Sequence, residues 1–265
     1  MEFRNEVIIG IPVYRKEPNF YEMISFERNC KILKNHTFSL ITFKGLDISF
    51  YVEKFSSFKI DYIITYFDKK YFESLNGYNN LLTNEIFYQK FSAYSFILIC
   101  QLDAFVFADC LLKWCNKGYD YIGAPWLNTN WVNTKEINKK LPFFARNNVF
   151  FKFLKNKDGL VGNGGFSLRR IDSHINFSKK YGGGFRHLGF NEDVFWGKYV
   201  GSKENKFKIP LLKEALLFSI ENDPKEAMKI INNELPFGCH AWFKIDFLFW
   251  KTVFINNKIN IPEIK

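Results

Sequence analysis

Strand-like and helix-like stretches alternate through the first 125 residues, and few folds accept that order. Val7-Ile8-Ile9-Gly10-Ile11 is apolar and β-branched and stops at Pro12, as a buried strand does. Phe38 to Thr42, Tyr62 to Tyr66, Phe96 to Cys100 and Tyr119 to Gly123 repeat the signal. Between them, Phe20 to Leu33 has helical apolar spacing, and Pro18 is suited to open that helix. Asn79 to Phe91 reads as one helix, with apolar residues at 81, 82, 86, 87 and 91. Leu111 to Asn116 reads as another, capped by Asp109. The alternation predicts an α/β fold with a mostly parallel, doubly wound sheet flanked by helices. Such sheets bind ligands beyond the carboxyl ends of their strands. That directs attention to Pro12–Arg15, Thr65–Asp68, Gln101–Asp103 and Ala124–Trp126.

The second half is less regular. Trp126 to Asp158 is rich in Asn and Lys and reads as a long excursion suited to a flap. Gly162-Asn163-Gly164-Gly165 reads as a turn feeding a strand, Phe166 to Leu168, with a helix after Asp172. No linker or internal repeat divides the chain, so 1–265 reads as a single domain with halves 1–125 and 126–265.

Composition narrows the function classes. With 47% apolar and 24% charged residues in 265, the chain is neither disordered nor low-complexity. It lacks an apolar run long enough to span a bilayer, and its N-terminus does not read as a signal peptide. Five cysteines, without a CxxC, read as reduced and mostly buried thiols, so a cytoplasmic location is expected. The net charge of +10 suits nucleic acid, an anionic membrane surface or phosphate-bearing small molecules. The densest basic patch runs from Lys135 to Lys157, and no nucleic-acid-binding motif accompanies it, so nucleic acid is not expected as a partner. That patch, or the aromatic C-terminal segment, is expected to give peripheral contact with the inner face of a membrane.

Four segments carry candidate chemistry. Asp103 of Gln101-Leu102-Asp103 ends the most apolar strand, where a carboxylate can hold a divalent cation against phosphates or simply cap a turn. Gly164 and Gly165 permit a close backbone approach, or form an ordinary turn. Glu192 and Asp193 follow Asn191 at a helix start, where they can serve a substrate hydroxyl or only cap the helix. As neighbours on a helix they point about 100° apart, so they are expected to do different jobs. Helix-terminal amides favour their charged forms, so both are expected to be ionised at neutral pH. His240, in Gly238-Cys239-His240-Ala241-Trp242, is a structural histidine unless Asp103 faces the same crevice.

Taken in order, Gln101-Leu102-Asp103, Asp120 to Trp126, Gly162 to Arg169, Asn191 to Trp196 and Gly238 to Trp242 resemble a family of GT-A-fold glycosyltransferase-like proteins of bacterial polysaccharide gene clusters, long labelled a domain of unknown function. The order is also similar to that of the β-1,4-galactosyltransferases. The resemblance implies a GT-A-like, Rossmann-like sheet with an irregular acceptor-side second half. It implies a metal-dependent, inverting glycosyltransferase using a nucleotide-diphosphate sugar, UDP-sugar by preference, on a glycan or lipid-linked glycan acceptor in capsule or lipopolysaccharide synthesis. By the same resemblance, Asp103 and His240 hold Mn²⁺ or Mg²⁺, and Gln101 stands where the first carboxylate of a DxD motif is expected. Pro12, Val13, Tyr14, Asn79 and Trp126 lie on the nucleotide-sugar side, and Gly164 and Gly165 lie beside the donor sugar. Asp193 becomes the base and Glu192 its hydroxyl-holding or donor-orienting partner. His187-Leu188-Gly189-Phe190 replaces the Trp-rich turn of the galactosyltransferases, so the donor identity does not carry over. The competing reading is a non-catalytic nucleotide- or sugar-binding module with a degraded metal site, for which Gln101 speaks.

Overall fold

The computed structural model describes residues 5–127, 161–187 and 190–262. The expected flap lies outside the described residues from 128 onward, as does the Lys135–Lys157 patch. Strands β1 (Asn5–Pro12), β2 (Thr37–Thr42), β3 (Tyr62–Tyr66), β4 (Tyr94–Cys100), β6 (Tyr121–Pro125) and β7 (Val161–Arg170) form one sheet in the order β3-β2-β1-β4-β7-β6. β1 to β4 are mutually parallel, and β7 runs antiparallel to both β4 and β6. A second sheet joins β5 (Ala104–Val106), β9 (Gly238–His240) and β8 (Ser219–Ile220).

Alternate residues of the central strands bury into two different cores. Val7, Ile9 and Ile11 of β1 and Phe96, Leu98 and Cys100 of β4 enter one, while Ile8, Ile97 and Ile99 enter the other. A strand covered on both faces needs continuous apolar sequence, which is why these runs are legible. All five cysteines are free thiols, four of them buried. No helix among the described residues is long and apolar enough to cross a membrane.

The helix α1 (Phe20–Ile32) starts two residues after Pro18, which lies outside it. Asn19 caps it, accepting from Glu22 N at 3.0 Å, while Glu22 accepts from Asn19 N at 2.9 Å. This reciprocal pair satisfies two amides that no carbonyl in the helix can reach. The single helix expected over Asn79 to Phe91 is two, α3 (Leu75–Leu82) and α4 (Glu85–Gln89). Thr83 Oγ1 bonds back to the Asn79 carbonyl, and Asn84 caps the new helix by accepting from Ile86 N. A further helix, α2 (Ser49–Phe58), buries Tyr51 and Phe55 at i,i+4 spacing. The glycine-rich segment is not a turn: β7 runs through it, with the register against β6 shifting between Gly123 and Ala124.

The short strand β5 has few bonds of its own and is held by α1. Asn29 is buried; its Nδ2 donates to the Ala104 carbonyl at 2.7 Å and its Oδ1 accepts from Val106 N at 2.9 Å. Its side chain thereby serves as one more strand edge. We expect Asn29→Ala to destabilise the protein by about 2 to 5 kcal/mol, because two buried backbone groups lose their partners at about 1–3 kcal/mol each. Urea unfolding measures this, and a loss below about 0.5 kcal/mol contradicts it.

Candidate functional site

The carboxyl ends of β1 and β4 open into a cavity of about 440 Å³. Pro12, Tyr14, Gln101, Leu102 and Asp103 line it from the strand ends, and residues 71–75 with Tyr78 line it from α3 and its approach. Glu22 and Lys244 complete it. Two of the four expected strand-end segments therefore contribute; Thr65–Asp68 and Ala124–Trp126 do not line it.

Two long-range pairings assemble the rim. β5 pairs with β9, setting Ala104 opposite His240, and Ala241 N donates to the Asp103 carbonyl at 3.0 Å. Gln101 N donates to the Gly165 carbonyl at 2.9 Å, tying the end of β4 to the glycine pair. As a result His240 Nε2 lies 3.0 Å from Asp103 Oδ1 and 3.2 Å from Gln101 Oε1. Its Nδ1 stands 3.3 Å from Glu221 Oε1 on the far side of the ring. Burial works against the imidazolium, but the Asp103 and Glu221 carboxylates raise the His240 pKa to about 10. Burial pushes Asp103 the opposite way from its partners, and His240 and Lys244 together hold its carboxyl well below the usual range.

The donor set fits a hard divalent cation in part. Octahedral bonds of about 2.1 Å separate adjacent ligands by about 3 Å, the spacing that His240 Nε2 keeps from Asp103 and Gln101. Glu221 behind Nδ1 is the carboxylate that commonly orients a ligating histidine. Among the described residues no three His, Cys, Asp or Glu side chains form a cation site, so the third position falls to the Gln101 amide. Ligation also requires His240 to give up its Nε2 proton.

The glycine pair is a close approach, but protein side chains fill it. A methyl group on Gly165 would lie 2.1 Å from His240 Nε2, and one on Gly164 would lie 1.8 Å from Glu192 Oε1. Both glycines make room for the side chains that shape the site.

Glu192 and Asp193 open a helical segment that continues through Val194–Val200. A methyl group on Gly197 would lie 2.2 Å from the Val161 carbonyl, so this helix packs directly on β7. Asn79, expected on the nucleotide side, instead braces this turn. Its Nδ2 donates to Asn191 Oδ1 at 3.1 Å and its Oδ1 accepts from Glu192 N at 3.2 Å. Val13 and Trp126 are buried in the two cores, outside the cavity lining.

Buried Arg169 holds Glu192. Its Nη2 donates to Glu192 Oε1 at 2.9 Å, Nη1 to Tyr88 Oη at 3.0 Å and Nε to Ser167 Oγ at 3.0 Å. A guanidinium sealed in the core needs such partners, and it fixes Glu192 in turn. A charged residue inside a strand otherwise reading as core was the signal for this role. Glu221 and Lys244 carried no comparable signal.

The pKa values of both acidic side chains are shifted up, where helix-terminal amides alone predict a downward shift. Burial raises Glu192 while Arg169 opposes it. Burial also raises Asp193 well above the ordinary value, and the Glu192 charge adds to this; the bond from Val194 N offsets only part. Desolvation outweighs the helix-terminal amides.

The sign of this shift sets a pH dependence. A carboxyl with a raised folded pKa contributes stability that is full below its unfolded value, near 3.8, and is lost as pH rises through the folded value. Asp193→Asn should therefore gain stability relative to the native protein as pH rises above about 4, through the raised folded value. Thermal melts across that range check it, and a constant difference contradicts it.

A search of curated proteins finds no match. Among solved structures, mouse xyloside xylosyltransferase 1 aligns over 98% of this chain and 100% of its own, with TM-score 0.53 and 11% identity. The galactosyltransferase LgtC, solved with donor and acceptor sugar analogues, aligns over 97% of this chain and 98% of its own, with TM-score 0.51 and 10% identity. The bifunctional glycosyltransferase WbbM aligns over 99% of this chain, with TM-score 0.54 and 14% identity, but this chain spans only 50% of WbbM. At these identities the likeness shows a shared fold, that of the GT-A glycosyltransferases. The model of the DUF5672 family, described as a protein of unknown function, matches residues 61–240, more than half of the sequence. The chain belongs to the DUF5672 family.

Proposed function

We propose that the protein is a metal-dependent glycosyltransferase. It moves a sugar from a nucleotide-diphosphate sugar, UDP-sugar by preference, to a glycan or lipid-linked glycan acceptor in bacterial capsule or lipopolysaccharide synthesis, with inversion. The convergence of Asp103, His240 and Gln101 at the carboxyl end of β4, on the rim of the 440 Å³ cavity, carries this reading.

In it, Pro12 and Tyr14 receive the nucleotide. Asp103 and His240 hold the cation, Mn²⁺ or Mg²⁺, which supplies positive charge against the leaving diphosphate. Glu192, fixed by Arg169, orients the donor beside Gly164. Asp193 accepts the proton of the acceptor hydroxyl while its oxygen bonds to the anomeric carbon, and the bond to the diphosphate breaks with its electron pair on the leaving oxygen. A carboxyl raised well above its ordinary value is a stronger base once ionised, which suits that exchange.

A screen of nucleotide sugars for Mn²⁺-dependent release of nucleoside diphosphate tests the reading. Asp103→Ala should lower turnover by about 10³ or more. Asp193→Asn should lower it by about 10² to 10⁴. Full turnover in excess chelator contradicts the metal assignment. Gln101, and the Lys244 ammonium already on Asp103, favour the second reading of a non-catalytic binding module. Nucleotide binding with no turnover on any donor selects it.

Membrane contact belongs to the same proposal. The helix Phe247–Asn256, the last among the described residues, turns Leu248 and Ile255 to solvent, 74% and 63% exposed, on one stripe with Lys251. Apolar side chains beside lysine suit an anionic lipid surface. Sedimentation with anionic vesicles, weakened by salt, is the expected result; equal sedimentation with neutral vesicles contradicts it.

A further inference from the structure

Both oxygens of Asp103 are engaged, and by two different kinds of partner. Oδ1 faces His240 Nε2 at 3.0 Å, and Oδ2 accepts from Lys244 Nζ at 2.6 Å. His240 has no freedom to leave, because its ring is buried against the Gly165 backbone, where no methyl group would fit. Lys244 differs: its side chain is 53% exposed, lines the cavity and hangs from a long flexible stem. It reaches Asp103 because Ala241 takes a left-handed backbone, φ 52°, directly after His240. The Trp242–Ile245 helical turn then carries the lysine back over the strand end.

We infer that Lys244 is a resident stand-in for the divalent cation and couples cation binding to nucleotide binding at this site. The inference rests on the metal reading proposed above. A divalent cation beside His240 takes Asp103 Oδ1 while the ammonium holds Oδ2, and two positive charges on one carboxylate repel, so the ammonium gives way. The released ammonium stays in the cavity, where the negative charge of a nucleoside diphosphate attracts the divalent cation and the lysine alike. Cation alone must therefore bind against Lys244, whereas cation with nucleoside diphosphate binds with its help. Such a coupling is reciprocal: each ligand strengthens the other by the same factor.

Calorimetric titration of Mn²⁺ into the full chain, with and without saturating UDP, tests this on the native protein, Lys244→Met and Lys244→Arg. In the native protein UDP should tighten Mn²⁺ by about 5- to 150-fold. Lys244→Met keeps the stem without the charge; it should bind Mn²⁺ alone more tightly than the native protein and lose most of the UDP effect. Lys244→Arg should behave as the native protein does. Thermal melts establish that each variant is folded. Lys244→Met binding Mn²⁺ alone no more tightly, with the UDP effect intact, overturns the inference while leaving the metal reading standing. Absence of Mn²⁺ binding in all three proteins overturns the metal reading and this inference together. Absence of UDP binding overturns the nucleotide-sugar reading, and the Mn²⁺ arm still decides whether Lys244 competes for Asp103.

Discussion

At Gly165 the strand backbone touches the His240 ring, and at Gly164 it touches the Glu192 carboxylate, in each case closer than any side chain would allow. Everything around the cavity is arranged about that double contact. β7 lies between β4 and β6 and runs against both, so its glycines arrive beside the end of β4. There Gln101 N bonds to the Gly165 carbonyl. His240 is pressed into place from one side by the strand and from the other by the β5–β9 pairing, and Glu192 by the strand and Arg169. Two functional side chains from distant parts of the chain are thus set by one short stretch of bare backbone.

That placement buries charge, and each charge has an answer. Asp103 has His240 and Lys244, Glu192 has Arg169, and Arg169 spends its remaining donors on Tyr88, Ser167 and the Gly164 carbonyl. Buried pairs of this kind contribute little net stability, but losing one partner strands the other at several kcal/mol. The pairs therefore act as geometric specification. Asp193 is the exception: among the described residues its carboxylate takes a bond only from the adjacent Val194 amide, and burial raises its pKa. In the proposed reaction this more loosely held acid is the one that exchanges a proton.

How much of this was legible depended on the range of the interactions involved. β1 and β4 are read correctly because burial on both faces leaves an unbroken apolar signature. The split of the helix over Asn79 to Phe91 escapes periodicity because apolar spacing continues across it; a side-chain bond from Thr83 and a cap from Asn84 decide the break. Gly162 to Gly165 reads as a turn because glycine marks turns, whereas the cause of these glycines is two side chains far away in sequence. β5 and β9, at three residues each, exist through partners distant in sequence: each other, Asn29 for β5 and β8 for β9. Asp103, His240, Glu192 and Asp193 are candidates from motif order and local position. Arg169 had a signal, a charge inside a strand that otherwise reads as core, whereas Glu221 and Lys244 had none, since their places arise from tertiary contacts alone.

The central claim is that the end of β4, with His240 across from it, holds the cation of a nucleotide-diphosphate complex. Anomalous diffraction from crystals grown with Mn²⁺ and UDP tests it most directly. The account predicts a manganese peak within about 2.5 Å of both Asp103 Oδ1 and His240 Nε2, with the diphosphate in the cavity beside it. Bound UDP with no such peak, or manganese held elsewhere in the chain, contradicts it.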